Sequence, residues 1–319
     1  MTDTAPPVLV RRGQPGDVPL LTAWTSADPV AWIDEHALTA ELATGCYRPE
    51  WSWIAEQGGH PVGRALWWGR TDADAPVNLD CLTVSPGASS AEEVGAALVR
   101  AGLEAFSSRR DLEFTVDVAE SWTSDPAAVE AVRWRHGAAR RGGFSRTTER
   151  VSFARTATDP MPPRSTRLRF EPAPDATFRE LFGAVSAGSL DGHTIDMIAR
   201  EGVDALADDD LAFYLSLPGD RVAWRTALGP DGLGPDGETV GFIVPTRTAY
   251  DASISYLGVL PGHRGNGYVH DLLAEMVHVH HGADEPRIVG TTDAADLPTR
   301  AAFARAGFSV TRVRIVHAR

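Results

Sequence analysis

The sequence predicts a mixed α/β (α+β) fold built twice in tandem. Three observations carry this. Strand-like and helix-like segments alternate along the chain instead of segregating. The same order of elements runs on both sides of a Pro-rich stretch, Thr156-Ala157-Thr158-Asp159-Pro160-Met161-Pro162-Pro163-Arg164-Ser165-Thr166. Each half also holds two apolar runs joined through a Gly-rich turn, the mark of an antiparallel hairpin.

In the first half, Val8–Arg12 reads as a strand, and Pro15-Gly16-Asp17 leads into a helical pattern over Val18–Trp24. Asp28–Leu42 reads as helix with breaks. Trp51–Glu56 and Pro61–Trp68 flank Gln57-Gly58-Gly59-His60 and form the hairpin. Val77–Val84 is a further strand, stopped by Ser85-Pro86-Gly87. Ser89 or Ser90 caps a helix over Ala91–Phe106, with Glu92 and Glu93 in its first turn. Leu112–Val118 is a strand, Pro126–Arg141 a helix closed by Gly142-Gly143, and Phe144–Phe153 a final alternating strand.

The second half repeats this order. Leu168–Glu171 is a strand and Asp175–Leu190 a helix, with further helical stretches over Asp196–Leu206 and Leu211–Leu217. Val222–Leu228 and Thr239–Val244 form the second hairpin. Ser253–Leu260 is a strand, followed by a helix. Arg287–Thr292 is a strand, Leu297–Ala306 a helix stopped by Gly307, and Phe308–Val316 the last strand. Val84-Ser85-Pro86-Gly87 parallels Val259-Leu260-Pro261-Gly262, and Arg140-Arg141-Gly142-Gly143-Phe144 parallels Ala304-Arg305-Ala306-Gly307-Phe308. The chain reads as an internal duplication, with domains at 1–155 and 167–319 and a linker at 156–166.

The most informative stretch is Tyr256-Leu257-Gly258-Val259-Leu260-Pro261-Gly262-His263-Arg264-Gly265-Asn266-Gly267-Tyr268-Val269. A buried strand ends at Pro261-Gly262, and Val269, Leu272, Leu273, Met276 and Val277 then recur at helical spacing. Glycines at a helix start permit positive φ and close approach of a ligand to the backbone. The first N–H groups of the helix have no internal partner, and with the helix dipole they suit a pyrophosphate. Arg264 is expected to add a charged fork.

This stretch resembles the acyl-CoA loop of the GNAT superfamily of N-acyltransferases, whose pattern is Gln/Arg-x-x-Gly-x-Gly/Ala. Arg264 and Gly267 match it, and Val269 stands where Gly or Ala is usual. The duplication resembles tandem GNAT proteins, each half a mixed, mostly antiparallel sheet flanked by helices. The resemblance implies acetyl-CoA as acyl donor, with no metal, and a small-molecule or peptide amine as acceptor. It implies that Arg264, Gly265, Asn266, Gly267, Tyr268 and Val269 meet the pyrophosphate and that Leu257 and Val259 lie along the pantetheine arm. Asp296 falls where members often carry Asn, and Phe303 where many carry a Tyr acid; both are assigned to the donor site, although Asp cannot donate as Asn does and Phe303, which cannot act as an acid, reads first as a core residue. For catalysis the candidates are Asp191 and His193, in a loop expected to wall the acceptor site, and Tyr256; Asp251 stands beside the same strand. A histidine titrating near ~6.5 suits base work at neutral pH.

In the first half, aligning Pro86 with Pro261 sets Ser89 opposite Arg264 and Glu92 opposite Gly267. That half is expected not to bind CoA and to be a degenerate copy. The rival reading of the whole chain is a non-catalytic acyl-CoA-binding or regulatory module.

Composition narrows the setting. The chain has 319 residues, enough for two domains. A net charge of −13 argues against nucleic acid and mildly favours cationic substrates. All its basic residues other than histidine are Arg. No apolar run reaches a membrane span, and no basic-then-apolar leader opens the sequence. Two cysteines, Cys46 and Cys81, fit a reducing cytoplasm. A homodimer is left open. His278, His280 and His281 lack a metal motif, and Arg133–Arg141 reads as a solvated basic helix face. Trp51, Trp53 and Trp67 share strand-period positions and read equally as core or as an aromatic pocket.

Overall fold

The computed structural model describes residues 6–24, 28–30, 35–109, 112–189, 192–229 and 237–319. Its residues cluster into two compact units, 1–149 with 312–319, and 150–311.

The first unit holds β1 (Val8–Arg12), α1 (Val18–Thr22), α2 (Glu35–Thr44), β2 (Tyr47–Gln57), β3 (His60–Trp68), β4 (Asn78–Val84), α3 (Ala91–Ala105), β5 (Glu113–Val118) and α4 (Pro126–Gly142). Gly58 and Gly59 take φ of +60° and +78°, closing the β2–β3 hairpin as a two-residue turn requires. Ser90 caps α3, accepting from the Glu93 N–H. The core under α3 and α4 contains Trp51, Trp53 and Trp67, all at most 4% exposed. Trp53 and Trp67 pack edge-on against Phe106. The tryptophans are core, which settles the question their spacing left open.

The second unit runs through β6 (Arg146–Thr156), β7 (Arg169–Glu171), α5 (Asp175–Ser186), α6 (Gly192–Glu201), α7 (Val203–Ser216), β8 (Arg225–Gly229), β9 (Glu238–Arg247), β10 (Ala252–Val259), α8 (Tyr268–Gly282), β11 (Arg287–Asp293) and α9 (Leu297–Arg305), before β12 (Ser309–Ala318). The helical region after α5 breaks at Gly202, φ +89°, and not between Leu206 and Leu211 as the sequence pattern suggests. Among the described residues no helix is long and apolar enough to cross a membrane.

Strand pairing departs from chain order. Residues 150–156 of β6 pair with β11 in the second unit, whereas β12 pairs with β5 in the first. The sheet orders are β1-β2-β3-β4-β5-β12 and β6-β11-β10-β9-β8-β7. The final strand of each half therefore completes the other half's sheet, so the structural units differ from the expected division at 156–166. The two strands carry one pattern, Arg150-Val151-Ser152-Phe153-Ala154-Arg155 and Arg314-Ile315-Val316-His317-Ala318-Arg319. Arg150 lies opposite Asp293, as Arg314 lies opposite Asp117. Because either strand presents the same faces and the same cation, alternation alone does not choose between the two edges.

Candidate functional site

β10 and β11 run parallel but share a ladder only between Ala252–Ile254 and Ile288–Gly290. β10 continues to Val259 and β11 to Asp293, so a wedge opens beyond Ile254. A bulge accompanies it: Ile254 faces Pro245 and Tyr256 faces Val244, leaving Ser255 as an extra residue. Such a residue bends its strand and sharpens the twist. Ser255 Oγ lies 2.5 Å from Oγ1 of the buried Thr246. Glycine is required at the wedge. A Cβ on Gly290 would come within 2.5 Å of the Phe303 ring, and one on Gly258 within 2.7 Å of Phe242. The β10 edge from Tyr256 to Val259 has no β11 ladder, and an extended amide-bearing chain can pair with such an edge as an added strand does.

The wedge opens towards the start of α8. Gly265 and Gly267 have φ of +83° and +71°, conformations costly for L side chains. A Cβ on Gly262 or Gly265 would meet nothing within 4 Å, so this backbone faces open space. Gly267 is the N-cap of α8 and provides no side-chain cap; the His270 N–H turns back to the Gly267 carbonyl at 3.1 Å, which leaves the amides of Tyr268 and Val269 to face an anion.

The cation beside this loop is one that sequence reasoning missed. Arg167 Nη1 donates to the Asn266 carbonyl at 2.9 Å, its Nη2 pairs with Asp271 at 2.5 Å, and its guanidinium lies 4.5 Å over the Tyr268 ring. About a hundred residues separate Arg167 from the loop, and no local pattern marks it. Arg264 is engaged elsewhere. Its Nε donates to the Val259 carbonyl, Nη1 to those of Ala187 and Gly188, and Nη2 to that of Val185. The expected phosphate fork is in fact a clasp between the end of α5 and the end of β10.

The remaining residues expected at the donor site divide between backbone and core roles. Asn266 Nδ2 donates to the His263 carbonyl. Tyr268 is buried, and the half-buried Leu257, Val259 and Val269 pack against the core under α8. Asp296 caps α9, accepting from the Thr299 N–H at 3.1 Å, so its carboxylate satisfies a helix end. Phe303 is 1% exposed and stacks on Phe153 at 4.5 Å, which removes it from the ligand-facing side chains. Asp251 pairs with Arg287 at the closed end of the wedge, away from its mouth. Asp191 lies outside the described residues; His193 is in α6, and its side chain lies outside them too. Tyr256 points to the α5/α7 side, its ring 5.1 Å from those of Phe182 and Tyr214.

His270, in the first turn of α8, is held below the usual imidazole range by burial and then by Arg305, with Arg167 adding to this and Asp271 opposing it. It is therefore neutral and adds no charge to the loop at neutral pH. His278 and His280 donate through Nε2 to the carbonyl oxygens of Pro162 and Ser253, and no metal-holding cluster occurs among the described residues.

The first unit repeats the wedge and fills it differently. β4 and β5 share only two paired positions, and β4 bulges at Asp80, which precedes Pro86 by the same interval as Ser255 precedes Pro261. Tyr47 Oη donates to Asp80 Oδ2 at 2.6 Å, and Asp80 Oδ1 is sealed from solvent with no hydrogen-bond partner. Burial pushes the Asp80 carboxyl up to about 7. Before α3, the hollow lined by Gln57, His60, Gly87 and Ser89 measures about 380 Å³. Gln57 bridges Ser89 to the Pro6 carbonyl there, and Arg141 pairs with Glu92. Arg135, on the helix expected to be a solvated face, is 3% exposed and pairs with Asp28 at 2.6 Å.

No family model matches the chain, and no curated protein does. Solved structures do. A GCN5-related N-acetyltransferase from Sphaerobacter thermophilus is 18% identical, with a TM-score of 0.59, and the match covers 98% of this chain and 95% of that one. A GCN5-related glucosamine N-acetyltransferase region in a fungal multi-domain GH3 β-N-acetylglucosaminidase is 14% identical, with a TM-score of 0.54. That match covers 99% of this chain and 38% of the fungal one.

Proposed function

Because the chain has the fold of the GCN5-related N-acetyltransferases, we propose that it moves an acyl group, acetyl in the first instance, from acyl-CoA to an amine. The observation that carries this is the parallel ladder of β10 and β11 breaking off at Ile254 and opening onto the Gly265–Gly267 loop at the start of α8. The residues fit the donor. The loop amides and Arg167 suit a pyrophosphate. The bare β10 edge from Val259 back to Tyr256 suits the two amides of a pantetheine arm.

On this reading the thioester lies near Tyr256. A fixed edge aligns it for attack and supplies N–H groups to the developing oxyanion. Tyr256 is proposed to protonate the departing thiolate, and Asp191 or His193, following α5, to serve the amine as base. The first unit would support the fold without binding CoA.

The test is calorimetric titration with acetyl-CoA, followed by free-thiol release in the presence of amines. Failure to bind acetyl-CoA would refute the proposal. Binding without turnover on any amine would favour a non-catalytic acyl-CoA module, a reading supported by the burial of Phe303 where the resemblance looks for an acid.

A further inference from the structure

Under the proposed acyl transfer, on which this assignment rests, the β10 edge takes the donor arm. The first unit has the same edge, and there it is occupied. In the second unit the Leu260 N–H donates to the Val240 carbonyl at 2.9 Å, and Leu257 stands opposite Ile243. Antiparallel pairs alternate between facing groups and averted ones, so the Leu257 amide groups turn away from β9, into the wedge. In the first unit the Ser85 N–H donates to the Val62 carbonyl at 2.8 Å, and Leu82 stands opposite Ala65. The Leu82 groups therefore turn away from β3 in the same way. Leu82 precedes Pro86 by the interval that separates Leu257 from Pro261. β4 pairs with β5 only at Asn78 and Leu79, so the ladder ends before Leu82.

Arg135 of α4 reaches this edge. Its Nε and Nη2 donate to the Leu82 carbonyl at 3.1 and 2.9 Å. The guanidinium is also held from behind: Nη1 donates to the Ala131 carbonyl at 3.1 Å, and Nη2 pairs with Asp28 at 2.6 Å. The residue is 3% exposed. Two of its planar donors thus stand where the amide N–H of an extended arm would stand.

The second unit is built differently at this point. α4 has 17 residues and α9 has 9. Aligned at Gly143-Phe144 and Gly307-Phe308, Arg135 falls opposite Thr299, which is short and uncharged. The acceptor side of the first wedge is filled as well. Thr83 takes the place of Gly258, and its hydroxyl accepts from Nε of Arg64, a fully buried residue.

We propose that the β4–β5 wedge of the first unit is a binding site for an extended secondary amide of the pantetheine kind, closed by Arg135 as an intramolecular occupant. A donor carried on the chain competes without the translational and rotational cost that a free ligand bears, so a free arm of similar contacts is excluded. The first unit is kept shut by this contact, and the edge itself is intact.

The experiment is methyl NMR of the full chain titrated with pantetheine, which lacks the nucleotide phosphates and does not meet the carboxylates at the start of α3. In the wild type, shifts should be confined to the second unit, around Leu257 and Val259. Arg135→Ala should add a second set around Leu79, Leu82 and Val116, with an affinity within about tenfold of the first. Guanidinium ion below denaturing concentrations should abolish the second set alone, because it refills the vacated place. Removing one member of a buried ion pair strands the other. If the single variant unfolds, Asp28→Asn with Arg135→Ala replaces it; the new side-chain oxygen still accepts from the Val30 N–H, as Asp28 Oδ1 does at 3.1 Å. A folded variant in which only the second unit responds, or a second set that guanidinium leaves unchanged, overturns the proposal and leaves acyl transfer standing. So does binding to the first unit of the wild type. Binding to neither unit in any of these proteins refutes the donor-arm reading and this assignment with it.

Discussion

Arg264 Nη2 donates to the Val185 carbonyl oxygen at 2.6 Å, and its Nη1 reaches the Ala187 carbonyl at 2.8 Å. One guanidinium thereby satisfies carbonyls at the C-terminal end of α5, which lack helical partners. Through Nε it also grips Val259 at the end of β10. The segment leading to the acceptor side and the strand edge proposed to align the donor share one clamp.

A lysine cannot reproduce that fork. Arg264→Lys should raise hydrogen exchange across residues 185–189 and raise the amine KM about tenfold, the worth of one charge-assisted bond. CoA affinity should stay within about threefold. A large loss of CoA affinity with unchanged exchange would show that Arg264 is a phosphate ligand after all.

The loop glycines should be far less tolerant. Gly267→Asp places a side chain at φ +71° and a negative charge at the helix start proposed to take the pyrophosphate. We expect CoA affinity to fall at least about a hundredfold while the far-ultraviolet circular dichroism is retained. Arg167→Ala should cost about tenfold and flatten the salt dependence of binding, since it removes a cation beside the loop. Unchanged affinity in both folded variants would remove the phosphate from this loop.

Titration of CoA into the intact chain should give one site per chain. In the first unit Ser90 already caps α3, accepting from Glu93 N–H at 3.3 Å, and Glu92 stands in the first turn paired with Arg141 at 2.8 Å. A phosphate there would displace a formed cap and face carboxylates. Two equivalent sites, or one that survives Gly267→Asp, would contradict this.

Two buried groups of the first unit should give opposite pH dependences. His317 is 1% exposed, and burial, then His136, pushes it down to about 4. An unfolded imidazole titrates near ~6.5, so between these values the unfolded chain binds the extra proton. Stability then falls as pH drops through that window, by at most about 3 kcal/mol. Asp80 is pushed up to about 7 by burial, against the pull of Tyr47 and Arg314. An unfolded aspartate titrates near ~3.9, so the stability tied to its protonated form is lost as pH rises from there through 7. Relative to wild type, His317→Gln should gain stability at pH 5 compared with pH 8, and Asp80→Asn at pH 8 compared with pH 5. Urea unfolding of the three proteins at both values checks the signs; parallel pH profiles would contradict both assignments.

The sequence by itself determined the local devices. Gly265 and Gly267 before an amphipathic run set a strand, an αL turn and a helix start, because positive φ is a property of single residues. The hairpins, a serine cap at Ser89 or Ser90 and the repeated order of elements were legible for the same reason: each depends on neighbours in sequence. Tertiary structure alone decided the rest. Alternation in β6 and β12 specifies faces but not partners, and since both strands carry Arg-x-x-x-Ala-Arg, only three-dimensional pairing set Arg314 against Asp117 and Arg150 against Asp293. Arg167 reaches the loop from about a hundred residues away, and Arg264 turns to carbonyls of α5, because a guanidinium seeks acceptors in space whatever motif contains it. Phe303 and Asp296 occupy positions a motif would assign to the ligand, yet the space behind Gly290 claims the ring and the N–H of Thr299 claims the carboxylate.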